Sequence, residues 1–92
     1  MITYQIYYEG KVQGVGFRAT VLGLARGFDV AGEVKNLPDG RVELLLQGES
    51  QEVEEFLKTL RESELSGHIF SEQKNELPTV SSPRLRGFKI VR

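Results

Sequence analysis

The sequence GKVQGVGFR, residues 10–18, separates two segments with different hydrophobic periods, and this change of period decides the fold. Before it, apolar and polar residues alternate from Ile2 to Tyr8, as is typical of a half-buried β-strand. After it, from Phe17 to Phe28, apolar residues recur at every third or fourth position, which predicts a helix. We therefore expect residues 10–18, called the glycine loop below, to connect a strand to a helix.

The glycine loop has the residue types of an anion-binding site. A glycine-rich turn lets successive backbone N–H groups converge on one point, and the free N–H groups of a helix start add partial positive charge. Arg18 stands at that start, from which its planar guanidinium can bind a phosphate through two hydrogen bonds. The alternative is that the glycines only make a tight connection and that Arg18 is a surface residue.

The spacing within the glycine loop is similar to that of the C-x5-R loop of protein tyrosine phosphatases. Here Val12 occupies the position of the cysteine, six residues before Arg18. Because valine cannot attack phosphorus, we expect the nucleophile to be water. A P-loop is excluded, since no Gly-Lys-Ser/Thr sequence follows the glycines.

The remaining segments complete a βαββαβ order with an additional short C-terminal strand. The predicted elements are a second strand at residues 31–37, a turn at 37–40, a third strand at 41–47, a helix after an N-cap at Ser50, an edge strand at 68–76, a loop at 77–83 and a last strand at 88–91. This order predicts an α+β fold, the ferredoxin-like split βαβ sandwich, in which an antiparallel sheet carries two helices on one face. We expect residues 1–92 to form a single domain.

Composition narrows the possible functions. The chain has no cysteine, which excludes disulfides, thiolate nucleophiles and thiolate metal sites. Its 12 basic and 13 acidic residues nearly cancel, so anion binding must arise from local geometry. No apolar run approaches the roughly 18 residues of a membrane span, and the N-terminus has no export signal. We expect a cytoplasmic monomer that needs no metal or cofactor and binds neither nucleic acid nor membrane.

Asn36 is the second candidate site residue. It ends the second predicted strand, eighteen residues after Arg18. In a split βαβ fold this strand returns after one helix, so its end can lie near the loop that began the helix. A neutral amide there can accept a hydrogen bond from a water and position it for in-line attack on a bound phosphate. The alternative is an ordinary turn asparagine.

Residues 10–18, followed by residues 32–36 and 39–43, resemble the two signatures of the acylphosphatase family, and residues 87–90 are also similar to it. The resemblance implies a metal-independent hydrolase that splits small-molecule acyl phosphates into a carboxylate and inorganic phosphate. It implies that Arg18 and Asn36 are catalytic. The phosphate would be bound by Gln13, Gly14, Val15, Gly16, Phe17 and Arg18.

Three positions depart from the family pattern. Val21 stands where a threonine is common, Asp29 where a glycine ends the helix, and Glu33 where an aromatic is usual. We expect Asp29 to tolerate a left-handed conformation, and Glu33 to point away from Asn36. Two other functions are compatible with this topology. An RNA-binding module of this topology would need aromatic residues on the third strand and a basic face, and both are missing. The alternative function is that of a non-catalytic regulatory module that binds phosphate or an acyl phosphate.

Overall fold

The computed structural model describes residues 1–92, apart from the side chain of Thr79. Its strands and helices, in chain order, are β1 Ile2–Gly10, α1 Phe17–Ala25, β2 Val30–Asn36, β3 Val42–Gly48, α2 Ser50–Arg61, β4 Ile69–Leu77 and β5 Phe88–Val91. The glycine loop thus occupies the connection from β1 to α1, as its sequence predicts.

One five-stranded sheet holds all the strands, in the order β4-β1-β3-β2-β5. The β4–β1, β1–β3 and β3–β2 pairs are antiparallel, and β5 adds a parallel pair beside β2. Helix α1 packs against β2 and β5, and α2 packs against β3 and α1. The ferredoxin-like prediction, with its additional C-terminal strand, is confirmed.

The core lies between the two helices and one face of the sheet. Alternation decides which strand residues enter it, because successive side chains point to opposite faces. The fully buried strand residues are Ile6, Tyr8, Val34, Val42, Leu44 and Leu46, and α2 contributes Val53, Phe56, Leu57 and Leu60. Phe56 contacts the rings of Phe28 and Phe88, at centroid distances of 5.6 and 5.9 Å, so it joins both helices to the last strand.

Two predictions about helix ends were wrong. Helix α2 begins at Ser50 itself, and its N-cap is Glu49, whose carboxylate lies 3.9 Å from the amino group of Met1. Asp29 does not adopt a left-handed conformation, because every residue with positive φ is a glycine. Helix α1 has already ended at Ala25, and the N–H of Asp29 instead donates to the Glu52 carboxylate at 2.7 Å.

Gln47 anchors the connection between the last two strands. Since β4 and β5 form opposite edges of the sheet, the chain between them crosses its full width. The Gln47 Nε2 donates to the Thr3 hydroxyl and to the Pro83 carbonyl, both at 3.0 Å, and Oε1 accepts from the Leu85 N–H at 2.8 Å. The crossing segment covers Gln47, which is only 4% exposed although it points away from the helices.

We predict that Gln47→Ala lowers the free energy of unfolding by about 2 kcal/mol, because buried polar groups lose their partners. Urea denaturation of the two proteins measures the difference. Gln73→Ala is the matched control, since Gln73 lies exposed on β4. Equal stability of the two variants would contradict the anchoring role of Gln47.

Candidate active site

The glycine loop is fixed at both ends by buried apolar side chains. Val12 is 1% exposed and Phe17 is 2% exposed, and the Phe17 ring lies 5.3 Å from the ring of Tyr8. Burial also raises the pKa of the Tyr8 phenol, so this part of the core stays uncharged. The residues between Val12 and Phe17 are exposed, and the loop therefore projects from a rigid base.

Two glycines set the direction of the loop backbone. Gly14 and Gly16 have φ of 80° and 76°, a region in which any side chain would be strained. Gly16 is the N-cap of α1, and its carbonyl accepts the first helical hydrogen bond, from the N–H of Thr20 at 3.0 Å. In the described part of the chain, the backbone N–H groups of residues 12–19 have no acceptor. These N–H groups are therefore available as donors, and the anion site that the sequence predicts at this loop stays a prediction.

Arg18 and Asn36 line one cavity of about 240 Å³. The glycine loop and the start of α1 form one side of it, and the ends of β2 and β5 form the other. Its lining residues are Val12, Gly14, Gly16, Phe17, Arg18, Ala19, Asn36, Ile90 and Arg92. The lining residues therefore include two arginines and one asparagine, and none of them has a carboxylate side chain.

Asn36 has an unpaired acceptor beside this cavity. It is the last residue of β2 and follows the buried Val34 by two positions, so it points toward the helix side of the sheet. Its Oδ1 is buried and has no hydrogen-bond partner in the protein. Leaving such an oxygen unpaired costs about 1–3 kcal/mol, which favours a water or ligand hydrogen bond at this position.

Gln13 and Val15, which the resemblance assigned to phosphate binding, do not line the cavity. Val15 is 41% exposed at the outside of the loop. The Gln13 side chain turns to the β2–β3 hairpin, where Nε2 donates to the carbonyls of Leu37 and Arg41 at 2.8 and 2.9 Å. Gln13 thus ties the glycine loop to the turn that follows Asn36.

The hairpin that receives Gln13 is itself closed by polar contacts. The Leu37 N–H donates to the Arg41 carbonyl at 2.8 Å, and Gly40 takes a positive φ of 96°, as the turn signal predicts. The Arg41 N–H donates to the Asp39 carboxylate at 3.0 Å, which lowers the pKa of that carboxyl. The guanidinium of Arg41 also binds Asp39 at 2.8 Å, so the turn holds a fixed shape.

The structure accommodates Val21 and Glu33, two of the residues that depart from the family pattern. Val21 is fully buried in the core, where a methyl group packs in place of a hydroxyl. Glu33 lies 3.6 Å from the Lys89 ammonium of the neighbouring strand. Since strand side chains alternate, Glu33 and Asn36 lie on opposite faces of the sheet, as predicted.

Four residues of the cavity wall were missed by the sequence analysis: Val12 as a lining residue, Ala19, Ile90 and Arg92. For the last two, the available signal was the alternation that continues from Phe88 through Ile90 to Arg92. Among the described residues, no group of three or more His, Cys, Asp or Glu is arranged to hold a metal ion, and no helix is long and apolar enough to span a membrane.

Comparison with known proteins gives consistent results. The family model described as acylphosphatase matches residues 4–90. An acylphosphatase of Bacillus pumilus is 44% identical over 85% of this chain and 87% of its own. One of Lactobacillus gasseri is 41% identical over 99% of both chains. The crystal structure of acylphosphatase from Bacillus subtilis superposes over the whole of both chains with a TM-score of 0.86 and 33% identity.

We predict that Gln13→Ala weakens the binding of inorganic phosphate about three- to tenfold, because two hydrogen bonds that hold the loop are lost. Isothermal titration calorimetry measures the affinity. Gln51→Ala, on the exposed side of α2, is the control and should bind as the wild type does. If Gln13→Ala kept full phosphate affinity, the tie between loop and hairpin would have no bearing on anion binding.

Proposed function

The chain belongs to the acylphosphatase family of hydrolases, and we propose that it hydrolyses acyl phosphates by direct attack of a water that Asn36 positions. The phosphoryl group would be bound by the glycine loop and Arg18. The observation that carries this proposal is that Asn36, whose buried Oδ1 has no hydrogen-bond partner in the protein, is a lining residue of the same cavity as Arg18.

Phosphoryl binding draws on three features of the loop. The N–H groups of residues 12–19 are without acceptors, and those of residues 17–19 also belong to the positive end of α1. Arg18 makes no hydrogen bond or ion pair with a described residue, so its planar guanidinium is available for two phosphate oxygens. These donors offset the charge that spreads over the phosphoryl oxygens in the transition state.

Asn36 positions the water molecule that acts as the nucleophile. Its Oδ1 accepts one hydrogen of the attacking water, which leaves an oxygen lone pair directed at phosphorus. Attack forms a new P–O bond as the bond to the acyl oxygen breaks, and the acyl group departs as a carboxylate. The proton of the water passes to a phosphoryl oxygen of the substrate. Asn36 therefore contributes orientation, an effect that converts a bimolecular step into an effectively unimolecular one.

No side chain of the cavity is needed as a general acid. A carboxylate leaving group has a conjugate-acid pKa of about 4, so it departs without protonation near neutral pH. The lining residues contain no histidine, aspartate or glutamate, which is consistent with this chemistry. Catalysis would then consist of positioning and charge stabilisation, and we expect it to proceed without added metal.

We predict that the two central substitutions separate binding from chemistry. Arg18→Ala should abolish both phosphate binding and turnover, because the charge that holds the phosphoryl group is gone. Asn36→Ala should lower kcat by about 10²–10³ while sparing phosphate affinity, because only the water loses its partner. Hydrolysis of benzoyl phosphate in the presence of EDTA measures kcat, and calorimetry with inorganic phosphate measures binding.

The control variants are Arg86→Ala and Asn75→Ala, which remove the same side chains from exposed positions away from the cavity. Both should retain wild-type kinetics. Full activity in Asn36→Ala would contradict the assignment of the water. A wild-type protein that bound phosphate but did not hydrolyse benzoyl phosphate would instead support the non-catalytic regulatory module.

A further inference from the structure

The end of β5 forms part of the wall of the cavity. In the parallel β2–β5 pair, Val34 lies beside Ile90 and Lys35 beside Val91. The pairing ends there; Asn36 follows Lys35 at the end of β2, and Arg92 follows Val91 directly after β5. Ile90, Arg92 and Asn36 are all lining residues of the cavity.

Contacts at the start of β5 fix the position of this strand. The Gly32 N–H donates to the Gly87 carbonyl at 2.9 Å, where the last strand begins. A Cβ atom on Gly32 would lie 2.5 Å from the Phe88 ring, so the absence of a side chain lets this ring pack directly on β2. Phe88 also contacts Phe56 in the core. Arg92 therefore extends from an anchored strand.

Arg92 forms no ion pair with a described side chain. Two other arginines have carboxylate partners, Arg41 with Asp39 and Arg61 with Glu72, both at 2.8 Å. Arg92 has none among the described residues, and neither does Arg18. The lining of the cavity thus includes two arginines without an ion-pair partner and no acidic side chain, in a chain whose formal net charge is −1. A cleft lined by one sign of charge raises the local concentration of the opposite ion.

We propose that Arg92 is a second phosphoryl-binding cation, which contacts the acyl phosphate from the strand side of the cavity while Arg18 contacts it from the helix side. This inference rests on the proposed function. A phosphoryl group has three non-bridging oxygens. One guanidinium that binds in a bidentate manner contacts two of them, so the third can accept a hydrogen bond from a second cation. Arg92 lines the same cavity as Asn36, so its charge lies in the site that the water enters.

Arg92 is exposed and makes the same contact with substrate and product phosphate. Such an interaction stabilises the ground state and the transition state alike, so its loss raises KM and leaves kcat nearly unchanged. This distinguishes Arg92 from Asn36, whose loss should lower kcat. It also distinguishes it from a structural residue, whose loss would lower the stability of the fold.

The test compares Arg92→Gln with Arg86→Gln, which removes an equal charge from an exposed position outside the cavity. We predict that Arg92→Gln raises both the KM for benzoyl phosphate and the Kd for inorganic phosphate about three- to tenfold, with kcat within about twofold of the wild type. Arg92→Lys should recover part of the lost affinity, because lysine restores the positive charge but not the planar guanidinium that donates two hydrogen bonds. Arg86→Gln should match the wild type in all three quantities.

Two results would overturn the inference. One is a phosphate Kd of Arg92→Gln equal to that of Arg86→Gln in an otherwise active enzyme. The other is a lowered kcat at unchanged KM. Failure of the proposed function gives a different pattern: a wild-type protein without hydrolytic activity whose phosphate affinity still falls in Arg92→Gln. In that pattern Arg92 remains a phosphate contact although the chain does not turn over.

Discussion

The burial of Val12 and Phe17 on either side of four exposed residues is the constraint on which the site depends. Each of these side chains contributes roughly 1.5–3 kcal/mol on entering the core, so the two ends of the loop cannot move independently of the sheet and α1. The segment between them must span a fixed gap, and only glycines accept the two positive φ values that this path requires. The direction of the free N–H groups is thus a consequence of hydrophobic packing beneath them.

The second half of the site comes from a different part of the sheet, and a single side chain joins the halves. Gln13 leaves the loop and binds two carbonyl groups of the β2–β3 hairpin, directly after Asn36. The distance between the anion donors and the Asn36 amide is therefore governed by hydrogen bonds as well as by the strand pairing. A residue without contact to the cavity can in this way control the geometry inside it.

Periodicity predicted the elements well, because the apolar stripes of β1, α1, β3 and α2 are long and regular. It predicted Ser50 as the N-cap of α2, whereas the N-cap is Glu49, the residue before it. The position of a cap depends on local backbone angles, which the residue type favours but does not determine. It also predicted the third strand but gave no sign that a later segment would cover Gln47 on the face away from the helices. Arg18 and Asn36 came from the family signatures and spacing. Arg92 was not predicted, although the alternation from Phe88 through Ile90 reaches it, because its place at the cavity depends on the pairing of β5 with β2, which are far apart in the sequence.

The central position of β1 has a consequence for how the chain acquires its structure. This strand is the first to be synthesised, yet its neighbours are β3 and β4, and Thr3 pairs with Gln47 on one side and with Leu77 on the other. At 5–20 residues per second, its second partner follows roughly 4–15 seconds after it. The pairs of β1 with β3 and of β3 with β2 can form earlier, but the other edge of β1 stays unpaired until then, and the long loops between partners slow their pairing. Before β4 is available, the chain accordingly carries an unpaired strand edge of the kind that promotes aggregation.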